Sequence, residues 1–363
     1  MVLTYLRQPH GRLIVNIFRS LLCSLMILWV SAGCGTTHAS WSFQREVLAA
    51  DAMADDGDYA GALSEFTRLS KYAEKQVDLQ HLQFRSAYML EQMGRAEEAL
   101  AAYERIYTRP THPYDENASR AMYRAGRVYR DLLGQPETAL EIWVATVRAF
   151  PDGNFAGDAL NQIVRVYEKD ERYEELMDLY ADLYAEVRDR EIAHILAYKT
   201  ATTLDDHLDR CFEAIEMYRF LQDYFTRSGL IDDAVWRTAL CYRRHDMLEE
   251  EYAVLADFVD GRETSVIFAD YDHGQYNPAM RRMAVIHEEW GDLPAAIKAY
   301  RRFQRTYPLS MDNDDVQYRI IQLYDELGDT ASMRRYAAEL QKLWPESRYV
   351  SRAEALIREA ESR

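Results

Sequence analysis

Arg120, Tyr123, Arg127 and Arg130 recur at i, i+3, i+7 and i+10, a spacing that gathers three guanidinium groups and a phenol on one helical face. Such a face can hold carboxylates, because a guanidinium presents paired N–H donors in the fork geometry that a carboxylate matches. Arg165, then Arg243 and Arg244, extend the set along the chain. Two readings fit these residues. One is a solvated face salt-bridged to the many neighbouring acids; the other is a groove, positive inside an acidic protein, for an acidic or carboxylate-bearing segment.

The other reactive side chains support less. Asp270, Asp272 and His273 offer three metal-type donors with no fourth at a fixed spacing. Asp312, Asn313, Asp314 and Asp315 lack the glycine and distal glutamate of a calcium loop, and read as the start of a helix before Val316. His287-Glu288 has no second histidine four residues on, so the zinc-protease pattern fails. No nucleophile elbow, phosphate loop or dinucleotide fingerprint occurs. The expectation is therefore no catalytic residue, no metal, no cofactor and no enzymatic activity.

The elements that position these residues are short paired helices. In Phe84 to Tyr107, FRSAYMLEQMGRAEEALAAYERIY, small or apolar residues recur at helical spacing (Ala87, Leu90, then Ala99, Tyr103, Ile106), with Gly94 between the two runs. Gly94 can end the first helix in a left-handed conformation, and a new amphipathic helix follows. The offsets repeat: Gly57, Ala62 and Phe66; Gly134, Ala139 and Trp143; Gly291, Ala296 and Tyr300. Looser copies turn near Asp170, Asp209 and His245, and an eighth turns at Gly328. Phe150-Pro151, Tyr307-Pro308 and Trp344-Pro345 close second helices, since proline cannot enter a helix interior without losing a hydrogen bond. Tyr103, Tyr218 and Tyr300 fall at the packing position, which assigns them to the core.

This pattern resembles the tetratricopeptide repeat, whose 34-residue unit has Gly, Ala, an aromatic and Pro at these relative positions. The resemblance covers about Trp41 to Ala360. It implies an all-α, right-handed superhelical solenoid of about eight helical hairpins, with the first helix of each on the concave side. That places the arginine stripe in the groove. The Lys/Asn carboxylate clamp of chaperone-binding members is absent from the matching positions. Tyr349 to Ala360, with Val350, Ala353, Leu356 and Ile357 on one face, reads as a helix covering the last repeat. The widest repeat spacing holds Gly261 to Pro278, which is either a partner-contact loop or a longer helix end with a solvated loop.

Met1 to Gly33 contains no Asp or Glu, three arginines and an apolar run from Leu21 to Val30, shorter than a membrane span. It reads as an export signal. Val30-Ser31-Ala32-Gly33-Cys34 resembles a bacterial lipobox, which implies lipidation of Cys34; cleavage near Ala39 or an uncleaved anchor are the alternatives. Gly35 after the cysteine leans toward the outer membrane by the same resemblance. The expected organisation is a signal peptide over 1–33, a tether over 34–40, a repeat array over 41–348 and a capping helix over 349–363. Losing the signal moves the net charge from -17 to -20, which argues against nucleic acid and against an anionic membrane surface. Of the remaining cysteines, Cys211 starts one second helix and Cys241 lies near the end of the adjoining first helix, at similar height. A disulfide and two buried free thiols both fit.

The short tether, the loose repeats and Thr111-His112-Pro113 followed by Tyr123 resemble the tetratricopeptide lipoprotein of the outer-membrane barrel assembly machinery, here with eight copies in place of five. The resemblance implies a protein-binding scaffold on the periplasmic face of the bacterial outer membrane, working within a complex of envelope proteins. A scaffold for polysaccharide export or pilus and secretin assembly, and a docking subunit of a periplasmic cell-wall enzyme, are the alternatives.

Overall fold

The computed structural model describes residues 42–261 and 274–363. The export signal, Cys34, the tether, and Asp270, Asp272 and His273 lie outside the described residues. Every regular element among the described residues is an α-helix. No described helix is long and apolar enough to cross a membrane. The chain divides into two compact units, meeting in sequence between Asp170 and Glu171.

The first unit contains α1 (42–55), α2 (Tyr59–Ser70), α3 (Gln76–Gln92), α4 (Ala96–Tyr107), α5 (Glu116–Asp131), α6 (Pro136–Ala149) and α7 (Asn154–Lys169). From α2 onward each helix packs on the next, and the first helices α3, α5 and α7 also touch one another in turn. The second unit contains α8 (Tyr173–Val187), α9 (Ala193–Asp206), α10 (Cys211–Tyr224), α11 (Ile231–Arg244), α12 (Leu248–Asp260), α13 (Tyr276–Glu289), α14 (Leu293–Thr306), α15 (Asn313–Glu326), α16 (Thr330–Leu343) and α17 (Tyr349–Ser362). Sequential packing continues, and α17 lies against both α15 and α16, burying Tyr349 and Ala353. α6, α14 and α16 end at the residue before Phe150, Tyr307 and Trp344, each followed by its proline.

The turns explain why the chain doubles back so often. Gly57, Gly94, Gly134, Gly291 and Gly328 all have positive φ, between 64° and 85°. At Gly94 the turn is a Schellman motif. The Gly94 N–H donates to the Glu91 carbonyl at 2.9 Å and the Arg95 N–H to the Leu90 carbonyl at 2.9 Å, which occupies carbonyls that the helix end leaves unpaired. A Cβ built on Gly94 would meet nothing within 4 Å, so the glycine is required by backbone conformation and not by space. The three looser copies keep the conformation without glycine, at Glu171, Asp209 and Asp246. Asp209 stands where the sequence places it. The other two lie one residue beyond Asp170 and His245, because the Schellman bonds run from the Asp246 N–H to the Arg243 carbonyl and from the Met247 N–H to the Tyr242 carbonyl.

Five residues past most of these turns stands a small residue, and nine past most of them an aromatic one. Ala62, Ala99, Ala139, Ala214 and Ala296 have no exposed surface, which lets the two helices of a hairpin approach closely. Phe66, Tyr103, Trp143, Tyr180, Tyr218 and Tyr300 fill the space beyond and are at most 4 % exposed. The tryptophan has its own accommodation: a Cβ on Gly126 of α5 would come within 2.4 Å of Trp143 Nε1, so only glycine leaves room there.

Replacing Gly94 by Val should destabilise the protein by about 1 kcal/mol or more, whereas Asp246→Gly should stabilise it by about 0.5 kcal/mol, since only the first forces a Cβ into the left-handed region. Denaturant unfolding measures both. Opposite signs are expected, and equal signs would remove the left-handed turn as the cause.

Candidate functional site

In the first unit α5 lies between α3 and α7, and its exposed face carries the arginines singled out by spacing. The Arg120 guanidinium sits over the Phe84 ring of α3 at 4.8 Å and the Phe155 ring of α7 at 5.4 Å. Tyr123 packs on the same Phe155, with centroids 5.7 Å apart. Arg120 is exposed and has no ion pair among the described residues. Its donors are therefore free for an outside acceptor, while the two rings fix its position. Arg165 of α7 is also exposed and without a hydrogen bond or ion pair among the described residues. Helical spacing from Phe155 through Gln162 keeps it on the same face.

Arg127 and Arg130 are engaged. Both reach Asp131, at 3.4 and 2.6 Å, and Arg130 also donates to Gln162 and lies over Trp143. Arg130 thereby holds Asp131 below the usual carboxylate range. Of the expected stripe, the structure thus leaves Arg120 and Arg165 without a carboxylate and pairs the other two arginines within α5. Arg85 and Arg124, which the spacing did not single out, complete the face. Arg85 lies over the Phe66 and Tyr88 rings, and Arg124 over Tyr88 at 4.6 Å. His81 stands beside them. Burial above all lowers its proton affinity below the ordinary imidazole value; Asp51 opposes this, and the Arg85 and Arg120 charges add to it.

Arg85 and Arg124 belong to a recurring junction in which the first helix of one hairpin sends an arginine back to an acid near the previous turn. Arg85 reaches Asp51 at 2.6 Å. Arg124 donates through Nε to Glu91 at 3.0 Å, and Tyr103 donates its hydroxyl to the same carboxylate at 2.7 Å. Burial and then the Glu91 charge push the Tyr103 phenol well above its ordinary range, so it stays a donor. Tyr300 and Arg319 meet Glu288 in the same way, at 2.6 and 2.9 Å.

Arg243 and Arg244 lie in the second unit and are held internally. Arg243 meets Glu251 at 2.7 Å, and Arg282 takes the same carboxylate at 2.7 Å together with Glu289 at 2.6 Å. Glu251 has no exposed surface and stands five residues past its turn, where most hairpins have alanine. Arg244 pairs with the buried Asp205. Both guanidinium groups serve packing between hairpins, a role that their position in the sequence does not reveal.

Other expected features fall into place locally. Asp312 precedes α15 and Asp314 and Asp315 lie in its first turn, with Arg281 reaching Asp312 at 2.9 Å. His287 contacts the Tyr252 hydroxyl through Nε2 at 3.2 Å. Asp205, Cys211 and Cys241 bring three donor atoms of metal-binding type within 4.8 Å of one another, but the two sulfurs are joined as a disulfide and Arg244 reaches all three residues.

An array of paired helices with an exposed arginine and aromatic face belongs to the class of protein–protein interaction scaffolds. Residues 120–153, 278–310 and 315–347 match the tetratricopeptide repeat family model, and the described residues form an all-α array of hairpins like those repeats. No curated protein matches the sequence. Among solved structures, the C-terminal part of a tetratricopeptide repeat-containing protein from Cytophaga hutchinsonii is 12 % identical with a TM-score of 0.43, covering 74 % of this chain and 98 % of that one. The apo form of RapI is also 12 % identical at 0.43, covering 88 % and 97 %. PilF from Pseudomonas aeruginosa is 13 % identical at 0.37, covering 65 % and 96 %. These likenesses say nothing of what the chain binds.

Arg282→Ala should destabilise the second unit by about 3 kcal/mol, because it leaves Glu251 buried with only the half-exposed Arg243. Glu251→Ala should cost clearly less, since Arg282 keeps Glu289 and alanine is the residue that fits this position elsewhere. Urea unfolding of the two variants checks the order, and the reverse order would mean that Glu251 itself supplies the packing.

Proposed function

We propose that the protein is a non-catalytic scaffold that holds acidic segments of protein partners against the first-helix face of its first unit. The observation that carries this reading is Arg120, fixed between Phe84 and Phe155 with no carboxylate of its own in a chain of net charge -17. In so acidic a protein an exposed guanidinium has many internal acids within reach of evolution, and this one is instead seated on rings with its N–H donors outward. A carboxylate from a partner completes it with charge-assisted hydrogen bonds, and Arg165 adds a second contact along α7.

The scaffold works on the periplasmic face of the bacterial outer membrane, attached through lipid on Cys34, in the assembly of outer-membrane proteins. The support for this placement is the sequence before the repeats: an apolar run, small residues and a cysteine, with too few residues to Ser42 for a long tether. Fractionation tests the anchor. Cys34→Ala should move the protein from the membrane to the soluble periplasmic fraction, and a variant that still sediments with outer membrane would place the anchor elsewhere.

The binding face is tested by crosslinking in envelopes followed by purification of the wild type and of a variant carrying Arg120→Glu and Arg165→Glu. Partners recovered with the wild type should fall at least tenfold in the variant, while its melting stays within a few degrees because neither arginine holds an internal acid. Equal recovery from both would move the binding surface off this face.

A further inference from the structure

Cys211 and Cys241 meet where α10 packs on α11, with Cα atoms 5.8 Å apart, and both side chains are buried. Their surroundings are unequal. Cys211 is the first residue of α10, where unpaired backbone N–H groups favour negative charge, and Arg244 Nη2 stands 3.4 Å from its sulfur. Cys241 Sγ lies 3.2 Å from Asp205 Oδ1, in line for a thiol proton to be donated to that carboxylate, and Arg244 Nη2 stands 3.3 Å away. Ile215, Met247 and Val254 close the site together with Tyr242, whose hydroxyl accepts from Arg219 at 2.9 Å. Of the other charged groups around it, Arg237 pairs with Asp206 and Asp205 at the end of α9, Arg210 with Glu213 and Glu174, and Glu251 of α12 with Arg243 and Arg282, while Asp209 and Asp246 are exposed at the turns and His245 lies against Phe212.

We propose that Cys211–Cys241 is a reversible redox switch between α10 and α11, whose reduced form is a Cys211 thiolate held by Arg244 and the α10 N-terminus, with the Cys241 thiol donating to Asp205. Reduction by a small dithiol breaks the S–S bond and places two electrons on the pair. Of the two protons the dithiol gives up, one goes to Cys241 and one to solvent, and the dithiol becomes its own disulfide. A guanidinium beside both sulfurs stabilises the thiolate, and a stabilised reduced form makes a disulfide easier to open. Oxidised, the two helices are joined covalently; reduced, they are held by packing, by the Arg219–Tyr242 hydrogen bond and by the Arg244 contact to the Cys211 sulfur.

The test uses the full chain as wild type, Arg244→Gln and Arg244→Lys. Each is equilibrated in dithiothreitol buffers of graded redox ratio, quenched in acid, alkylated and weighed, and each reduced protein is titrated by the ultraviolet absorbance of its thiolate. The wild type should form its first thiolate below the ordinary cysteine value of about 8.5. Arg244→Gln should raise that midpoint by about one pH unit and require a roughly tenfold more reducing ratio to open the bond. Arg244→Lys should restore both. An Arg244→Gln protein that melts lower yet titrates and equilibrates like the wild type overturns the proposal, leaving Arg244 a packing residue. So does a wild type whose two thiols stay free after air oxidation.

Discussion

A carboxylate buried near the end of a helical hairpin has to be met by a cation, and in this chain the cation comes from the next hairpin. Glu91 receives Tyr103 from its own hairpin and Arg124 from the following one; Glu288 receives Tyr300 and Arg319. Asp206 with Arg237, and Asp51 with Arg85, use the same direction of reach. Apolar side chains tolerate small slips between helices, because one contact replaces another. A buried carboxylate does not, since moving its partner leaves an unpaired charge at a cost of several kcal/mol. The junctions at Glu91 and Glu288, whose carboxylates are the more buried, therefore fix the register in which one hairpin sits on the next, within each unit.

The same economy separates the arginines that hold the fold from those turned toward something else. Arg124, Arg237, Arg282 and Arg319 each have an internal acid, and their charge is spent inside the protein. Arg120 and Arg165 do not, although acids outnumber bases by sixty to forty-three in the chain. Aromatic rings hold Arg120 in place without neutralising it. An interaction surface needs that combination: a side chain already ordered, whose polar donors are still unsatisfied.

The repeat was legible because its demands are local. A left-handed residue selects glycine, a close helix approach selects alanine, and a helix end accepts proline, so Gly94, Ala99 and Pro151 announce their roles in one dimension. Where glycine is missing the reading drifts by a residue, as at Glu171 and Asp246, and with it goes Tyr180, which holds the aromatic position of its hairpin unnoticed. The similar height of Cys211 and Cys241 followed from antiparallel helix geometry, and the structure joins them. The arginines were less legible. Their spacing shows which of them share a face, but Glu251 and Asp205 lie on other helices, and nothing in a stripe of arginines says which of them meets an acid across the junction.

Among the described residues, Glu171, Asp209 and Asp246 follow one another as the three turns that hold a side chain in the left-handed region, with glycine at the same position before and after them. Each of these turns carries strain that the glycine turns do not. In an array whose neighbours support one another, the sites of lowest local stability are where fluctuations open first and where a spreading unfolding event starts. The one covalent tie of the described residues closes the stretch between the second and third of these turns. With the bond closed, α10 and α11 cannot fray as separate helices, so the covalent tie lies where two strained turns would otherwise let neighbouring hairpins open one by one.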